Sequence, residues 1–147
     1  MKLGLICSHG GHLTEMQYLL EAFEGHEIFF ITYESPRTLK LPYPKYLMAN
    51  IGTDPLKMAQ AFFRFIVIFR KERPDIIVST GSEIAIPAFY LAKLFRIRTI
   101  FIESWCRVKT TSGTGKILYP IADIFLVQWP ELLKIYGKKA QFQGAVV

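Results

Sequence analysis

The sequence predicts a doubly wound α/β fold, in which parallel strands and helices alternate and build one Rossmann-like sheet. Two observations support this prediction. Short apolar runs of strand length recur along the 147 residues and are separated by stretches with helical periodicity. The runs are apolar throughout, as at residues 28–31 and 124–127, and this pattern is typical of strands buried on both faces.

The expected elements follow in chain order. We predict strands at residues 2–7, 27–33, 75–79, 99–103 and 123–128, and helices at 13–23, 56–71, 83–95 and 116–121. Residues 34–56 contain four prolines and are expected to form loops with one short strand at 46–49.

Composition predicts one domain that spans residues 1–147, because 51% of the residues are apolar and no linker-like tract divides the chain. The two cysteines, Cys7 and Cys106, lie far apart in apolar runs and are expected to be reduced thiols of a cytosolic protein. We expect no disulfide framework, no metal centre and no cofactor. No stretch of eighteen uncharged apolar residues occurs, so we expect neither a membrane-spanning helix nor a cleaved signal peptide.

Charge and hydropathy together favour a membrane surface as a partner. The chain has a formal net charge of +6, a mean hydropathy of +0.25 and 21 aromatic residues (12 Phe, 7 Tyr and 2 Trp). A basic and apolar chain of this kind suits binding to anionic lipid. A nucleic-acid partner is not expected, because the sequence has no aromatic RNA-binding motif and no recognition-helix signature.

Small and polar residues follow four of the predicted strands, at residues 8–12, 80–83, 103–107 and 128–130. In open parallel sheets, ligands bind at the carboxyl ends of the strands. We therefore expect the first three of these junctions to meet in one crevice.

At the first junction, Gly10 and Gly11 allow backbone N–H groups to approach an anionic or hydroxyl-rich ligand at a helix start. The dinucleotide-binding pattern G-x-G-x-x-G is incomplete here. His12 stands where a general base would stand, and the alternative is that it only caps the helix. His9 and His12 have the spacing of a metal pair, but no third ligand is evident.

The second and third junctions each have a structural alternative. Ser82 and Glu83 can cap a helix. Glu103 ends an apolar strand, where a carboxylate needs a partner, and the partner is either a ligand or Arg107. The loop 104–116 contains only basic charged residues, Arg107, Lys109 and Lys116, and is suited to phosphate, although it lacks the P-loop pattern.

The segment 57–73 predicts an amphipathic helix with an unusual outer face. Met58, Phe62, Phe65, Ile66 and Phe69 share the face expected to meet the sheet. The far side carries a set that suits a helix at the level of lipid headgroups: Phe63, Arg64, Val67, Arg70 and Lys71. The alternative is a helix buried on both sides or covered by a protein partner.

Taken together, the runs 8–16, 79–82, 102–108 and 123–130 resemble the small membrane-associated subunit of the two-part UDP-GlcNAc transferase of dolichol-linked oligosaccharide synthesis, and its bacterial polysaccharide counterparts. The run Glu103-Ser104-Trp105-Cys106-Arg107-Val108 is among the most specific. A more distant resemblance links the same junctions to the N-terminal half of MurG. The eukaryotic subunit begins with a membrane-spanning helix that is not found here, so we expect attachment through the segment 57–73.

The resemblance implies one half of a GT-B glycosyltransferase: the acceptor and membrane half, with a UDP-sugar bound by a separate catalytic chain and the acceptor linked to polyprenyl diphosphate. By motif position it implies Gly10, Gly11 and His12 as the acceptor loop, Thr80, Gly81 and Ser82 as a second loop, and Glu103 as the carboxylate that ends the third strand. Our hypothesis from these residues is that His12 and Glu103 are catalytic, with His12 as the base. The expected acceptor-binding residues are Ser8, Gly10, Gly11, Thr80, Gly81, Ser82, Ser104, Arg107, Lys109 and Lys116. The expected location is peripheral, on the cytoplasmic face of the membrane. The alternative is a non-catalytic scaffold that docks a catalytic subunit there.

The last residues, 128–147, are expected to form an apolar tail that no later element covers. A one-chain GT-B enzyme would continue into its second half at this point. We therefore expect Trp129, Phe142, Val146 and Val147 to lie at the partner interface.

Overall fold

The structure, a computed structural model, describes residues 1–146 and contains one seven-stranded parallel sheet with helices on both faces. The strands are β1 (Lys2–Ile6), β2 (Glu27–Tyr33), β3 (Lys45–Met48), β4 (Ile76–Ser79), β5 (Arg98–Ile102), β6 (Ile124–Val127) and β7 (Ala140–Phe142). The helices are α1 (Gly11–Tyr18), α2 (Pro36–Leu39), α3 (Pro55–Glu72), α4 (Ala85–Leu94), α5 (Gly113–Leu118) and α6 (Glu131–Tyr136), and a 3-10 turn spans Leu20–Phe23.

The strand order, β3-β2-β1-β4-β5-β6-β7, reverses direction at β1, which pairs with both β2 and β4. Ile6 aligns with Ser79 across the β1–β4 pair. The loops that follow β1 and β4 therefore leave the sheet side by side, and this is the crevice in which doubly wound folds bind ligands.

Alternate side chains of the strands build a core on each face of the sheet. Ile6 packs in the cluster under α3 and α4, whereas its neighbours Leu5 and Cys7 pack on the other face with Leu13 and Met16 of α1. This two-sided burial explains the uninterrupted apolar runs in the sequence. It confirms the predicted fold class.

Most predicted elements are present, and the differences concern short ones. Helix α5 begins at Gly113, earlier than predicted, because the Ser112 side chain accepts a hydrogen bond from Gly115 N at 2.9 Å. Helix α2 was not predicted. It is a single turn with Pro36 in its first turn, capped by Ser35, whose Oγ accepts from Thr38 N at 3.1 Å.

The expectation of an apolar tail beyond residue 128 was wrong. The chain there forms α6 and then β7, which extends the sheet beside β6. Gly137, with φ +116, ends the helix. A six-residue helix and a three-residue strand are too short for their periodicity to stand out in the sequence.

Within residues 1–146, no helix has both the length and the apolar character needed to cross a membrane. The longest helix, α3, begins after Asp54, which accepts a hydrogen bond from Leu56 N at 2.9 Å, and ends at Arg73 in the left-handed conformation (φ 48).

Candidate functional site

A cleft of about 480 Å³ opens at the carboxyl ends of β1, β4 and β5. Three predicted junctions contribute to it, which confirms that they converge. It is lined by Gly11, His12, Glu15, Gly81, Ser82, Glu83, Ser104, Cys106, Arg107, Ser112, Gly113 and Thr114.

His12 is fixed by two contacts with the second junction. Its Nδ1 lies 2.8 Å from the carbonyl oxygen of Thr80, and Thr80 Oγ1 donates to the carbonyl oxygen of His12 at 2.6 Å. Because a carbonyl oxygen can only accept, Nδ1 carries the proton and Nε2 keeps a free lone pair. The neutral ring can therefore take up a proton from a group bound in the cleft.

The alternative in which His12 merely caps α1 is wrong. The N-cap residue of α1 is Gly10, and within the part of the chain that the structure describes no side chain caps this end. The Gly10 carbonyl accepts from Leu13 N and from the Arg37 guanidinium, the latter at 3.2 Å. Arg37 also donates to Thr14 and Gln17 of α1, so it ties this helix to the chain that follows β2.

Gly81 makes room for the imidazole. A Cβ at this position would lie 2.7 Å from His12 Cε1, closer than real side chains allow, and the backbone has φ +126. Only glycine satisfies both the contact and the dihedral angle without strain.

The cleft also contains the acidic side chain of Glu15, which lies one helical turn beyond His12 and was not predicted as a site residue. Its Oε1 accepts from Ser104 Oγ at 3.1 Å and from Trp105 N at 3.2 Å, and its Oε2 accepts from Gln128 Nε2 at 3.0 Å. Burial raises the pKa of Glu15, although these hydrogen bonds and the nearby His12 oppose the shift. The i, i+3 spacing from His12 is the sequence signal that places it on the same helix face.

Glu83 contributes a carboxylate that stays ionised. Burial acts against its charge, but hydrogen bonds from Ser82 Oγ at 2.6 Å, from backbone N–H groups and from Tyr33 OH at 2.8 Å outweigh it and lower the pKa of Glu83. The same contact helps to raise the pKa of Tyr33, after the larger effect of its burial. The cleft thus holds one carboxylate whose pKa is raised and one whose pKa is lowered.

Glu103 is only 1% exposed and lies beneath the cleft. Its carboxylate accepts from Ser104 N at 2.9 Å, from Ser112 N at 3.1 Å and Ser112 Oγ at 2.9 Å, and from the Tyr136 hydroxyl. Through Glu103, these contacts hold the loop 104–112 beside Tyr136 of α6. Among the residues described, no ion pair joins Glu103 to Arg107, which is exposed and donates to Thr110 Oγ1 at 3.4 Å, so that alternative was wrong.

The predicted acceptor residues fall into two groups. Gly11, Gly81, Ser82, Ser104 and Arg107 line the cleft together with His12. The others lie outside the lining: Ser8, Gly10 and Thr80 adjoin it in the first two junctions, Lys109 is on the exposed loop, and Lys116, predicted on that loop, is an exposed residue of α5. Among residues 1–146, no three His, Cys, Asp or Glu side chains are grouped as metal ligands would be.

The outer face of α3 is exposed as the sequence indicates. Phe63 is 68% and Val67 65% exposed, and Arg64, Arg70 and Lys71 are exposed beside them. A helix buried on both sides is therefore excluded. Glu72, the acid at the end of this helix, forms an ion pair with Lys2 at 2.5 Å and accepts a hydrogen bond from the Tyr46 hydroxyl.

The residues predicted for the partner interface lie beside β6 and β7. Trp129 is half-buried against Trp105, with ring centroids 5.8 Å apart, and donates from Nε1 to the Trp105 carbonyl at 2.6 Å. Phe142 is 41% exposed, and Val146 N donates to Gln128 Oε1 at 3.0 Å. Val147 lies outside the described residues.

Comparison with protein families gives one match over most of the chain. The family described as "Oligosaccharide biosynthesis protein Alg14 like" matches residues 34–146. The glycine-containing first junction, residues 8–12, precedes this match.

Individual relatives are named as Alg14 subunits of a UDP-N-acetylglucosamine transferase. The UDP-N-acetylglucosamine transferase subunit alg14 of Aspergillus fumigatus is 36% identical over 111 residues, which are 70% of this chain and 47% of the relative. The subunit of Schizosaccharomyces pombe is 35% identical over 118 residues, 75% of this chain and 56% of the relative. The chain thus spans about half the length of the curated relatives it matches.

Among solved structures, MurG of Acinetobacter baumannii superposes with a TM-score of 0.82 at 17% identity, over 99% of this chain and 45% of MurG. The fold is therefore that of one Rossmann-like half of a GT-B protein.

Proposed function

The chain belongs to the Alg14 family of oligosaccharide biosynthesis proteins, and from this membership and the cleft we propose that it is the acceptor-binding, membrane-recruiting subunit of a two-chain glycosyltransferase. The reaction is the transfer of a sugar from a UDP-sugar to an acceptor linked to polyprenyl diphosphate. A separate catalytic chain binds the donor. Two facts support this division: the relatives are named as subunits, and the fold matches 45% of MurG.

His12 is the proposed base. The acceptor hydroxyl oxygen attacks the anomeric carbon of the donor, its proton passes to His12 Nε2, and the bond from the sugar to UDP breaks with inversion. The hydrogen bond from Nδ1 to Thr80 fixes the tautomer and stabilises the imidazolium that forms. No further group has to carry the proton on this chain.

The acceptor is bound between the first and second junctions. The lining residues Gly11, Gly81, Ser82 and Ser104 contact it, and Ser8, Gly10 and Thr80 lie next to them in the same junctions. The diphosphate is held by cations that follow β5: Arg107 and Lys109 of the loop, and Lys116 of α5. Glu103 contributes to catalysis through the loop that it positions, because its oxygens are already engaged by donors.

Attachment to the cytoplasmic face of the membrane is peripheral and uses the outer face of α3. Phe63 and Val67 enter the headgroup layer, and Arg64, Arg70 and Lys71 contact anionic lipid. The catalytic chain docks at the β7 edge of the sheet, near Trp129, Phe142 and Val146.

The observation that carries the proposal is the His12 imidazole, fixed in one tautomer at the floor of a polar cleft. The test uses the complex of this chain with its donor-binding subunit, supplied with a panel of UDP-sugars and a polyprenyl-diphosphate acceptor. His12→Ala should lower turnover by about 10²-fold or more, as expected for a lost base, while the complex still forms.

His26→Ala is the matched control, because His26 is exposed just before β2, outside both the cleft lining and the junctions, and its loss should leave turnover unchanged. Unchanged turnover of His12→Ala would instead favour the scaffold function, in which this chain supplies no reacting group. Turnover by this chain alone would contradict the division into two subunits.

A further inference from the structure

A second cavity, distinct from the cleft, runs between α3 and α4. It is an open groove of about 790 Å³ whose walls are two helical stripes. The stripe on α3 is Pro55, Met58, Ala59, Phe62 and Phe63, and the stripe on α4 is Ile86, Pro87, Tyr90, Lys93 and Leu94. Ile121 closes one side.

The groove is almost free of groups that would bind a polar ligand. Its one charged side chain, Lys93, is already paired with Asp123 at 3.1 Å. Apart from Lys93, only Tyr90 contributes a polar side-chain atom to the walls. A hydrocarbon chain loses no hydrogen bonds in such a place, so apolar burial favours it over a sugar or a phosphate.

One end of the groove adjoins the cleft. Ser82 and Glu83 line the cleft, and Ile86, which lines the groove, donates its N–H to the Glu83 carbonyl at 3.0 Å. From Ile86 to Leu94 the groove follows α4 for about 12 Å, at about 1.5 Å per residue. A ligand with a polar head in the cleft can therefore lay its tail along this groove.

The other end opens on the outer face of α3. Phe63 belongs both to the groove wall and to the exposed face proposed to enter the membrane. A chain can thus pass from the bilayer into the groove along a continuous apolar surface.

We propose that this groove binds the isoprenoid tail of the acceptor, over the units nearest its diphosphate. That the acceptor carries an isoprenoid tail rests on the proposed function. The place where this tail binds is inferred from the groove itself. It assigns a binding role to α4, which the sequence indicates only as a buried helix.

The test measures binding of farnesyl diphosphate, a soluble isoprenoid probe, and of inorganic diphosphate to the full chain by calorimetry. Ala59→Trp fills the groove from an exposed position on α3, and Gln60→Trp, the next residue around the helix and outside the groove, is the matched control. Tyr90→Ser alters the other wall. Farnesyl diphosphate should bind the unchanged protein at least about tenfold more tightly than inorganic diphosphate, since burial of two methylene groups already suffices for that factor.

Ala59→Trp should remove this advantage, Tyr90→Ser should reduce it, and Gln60→Trp should keep it. All three variants should still bind anionic liposomes, so that loss of the probe is separated from loss of membrane attachment. Equal binding of the two probes, or full farnesyl binding by Ala59→Trp, would overturn the proposal.

The outcome is independent of the enzymatic test. If the groove variants bind the probe normally while His12→Ala abolishes turnover of the complex, the groove proposal fails and the proposed function stands. If the complex has no transferase activity while the groove variants behave as expected, the isoprenoid site stands and the proposed function fails.

Discussion

At the scale of single residues, the position of the His12 ring depends on the absence of a Cβ atom at Gly81. Gly81→Ala would bring a methyl group to 2.7 Å from His12 Cε1 and displace the ring from Thr80. We expect turnover of the complex to fall by about 10²-fold, the usual cost of misplacing a catalytic group by an ångström. A steady-state transferase assay of the assembled complex measures the effect.

The control for this prediction is Gly25→Ala. Gly25 also has a positive φ, +83, but a Cβ there would meet nothing within 4 Å. Both variants carry backbone strain of roughly 1–3 kcal/mol, and only Gly81→Ala carries the contact with His12. Equal turnover of the two variants would show that strain alone acts, without displacement of the base.

The buried Glu15 predicts a pH dependence of stability. Burial raises its pKa in the folded state above the ordinary value of 4.5, so in the interval between these two values the unfolded chain loses the proton first. The free energy of unfolding of the unchanged protein should therefore fall as the pH rises through this interval, relative to Glu15→Gln, which does not titrate. Below the interval both states are protonated and this difference is constant.

Urea denaturation of both proteins at a series of pH values tests this. Below this interval Glu15→Gln should be less stable than the unchanged protein by roughly 1–3 kcal/mol, since either orientation of its amide places the NH2 group against a donor, Trp105 N or Gln128 Nε2. Parallel pH profiles of the two proteins would contradict the raised pKa.

At the scale of elements, length decides what the sequence could predict. Five buried strands and the 18-residue helix α3 have patterns long enough to read, and even the exposed side of α3 followed from its helical period. The single turn α2, the short α6 and the three-residue β7 depend on caps and on pairing with β6, which periodicity does not record. The apolar groove was missed because it needs the relative placement of two helices.

Helix α3 also yields a prediction on membrane binding. Each basic group near an anionic surface contributes about 1 kcal/mol, and full burial of Phe63 or Val67 roughly 1.5–3 kcal/mol. The triple variant Arg64→Glu, Arg70→Glu, Lys71→Glu should no longer bind anionic liposomes in a flotation assay. It should remain folded, because the three residues are exposed. Binding of the unchanged protein should weaken as salt rises and should not vanish, since salt screens only the charges.

The matched control changes the net charge equally at another place. Lys40→Glu, Lys134→Glu and Lys138→Glu replace three exposed lysines outside α3, so this variant should keep most of its liposome binding. Release of both triple variants to the same degree would mean that total charge, and not this helix face, determines attachment. Equal binding of the unchanged protein to neutral and anionic liposomes would leave α3 as a helix that a protein partner covers.

At the scale of the whole molecule, topology made the site predictable, whereas the contacts between distant segments were hidden in the sequence. A parallel sheet brings residues 8–12, 80–83 and 103–107 to one edge whatever their separation, so His12, Gly81 and Arg107 could be placed together beforehand. Tyr136 donates a hydrogen bond to Glu103 across 33 positions of the sequence, and Gln128 donates one to Glu15 across 113 positions. Tyr136 belongs to α6, where the sequence had indicated only a tail, and Gln128 follows β6, where the sequence had predicted the end of a strand.

The same tail bears on how the proposed partner interface can be tested. Deletion of residues 140–147 would remove most of the predicted interface, but it would also remove β7, whose residues 140–142 pair with Phe125, Leu126 and Val127 and whose Ala140 is buried. A damaged sheet edge would then lose the partner for an unrelated reason. A point substitution at an exposed side chain of β7 separates docking from folding.

Phe142→Asp is that substitution, because Phe142 is 41% exposed on the sheet edge near Trp129. An aromatic anchor at an interface contributes about 2 kcal/mol or more, so co-purification with the donor-binding chain should weaken by at least about tenfold. Gln141→Asp, the adjacent exposed residue pointing to the other face of the strand, should leave binding intact. Circular dichroism should show both variants folded, and normal binding by Phe142→Asp would place the interface away from β7.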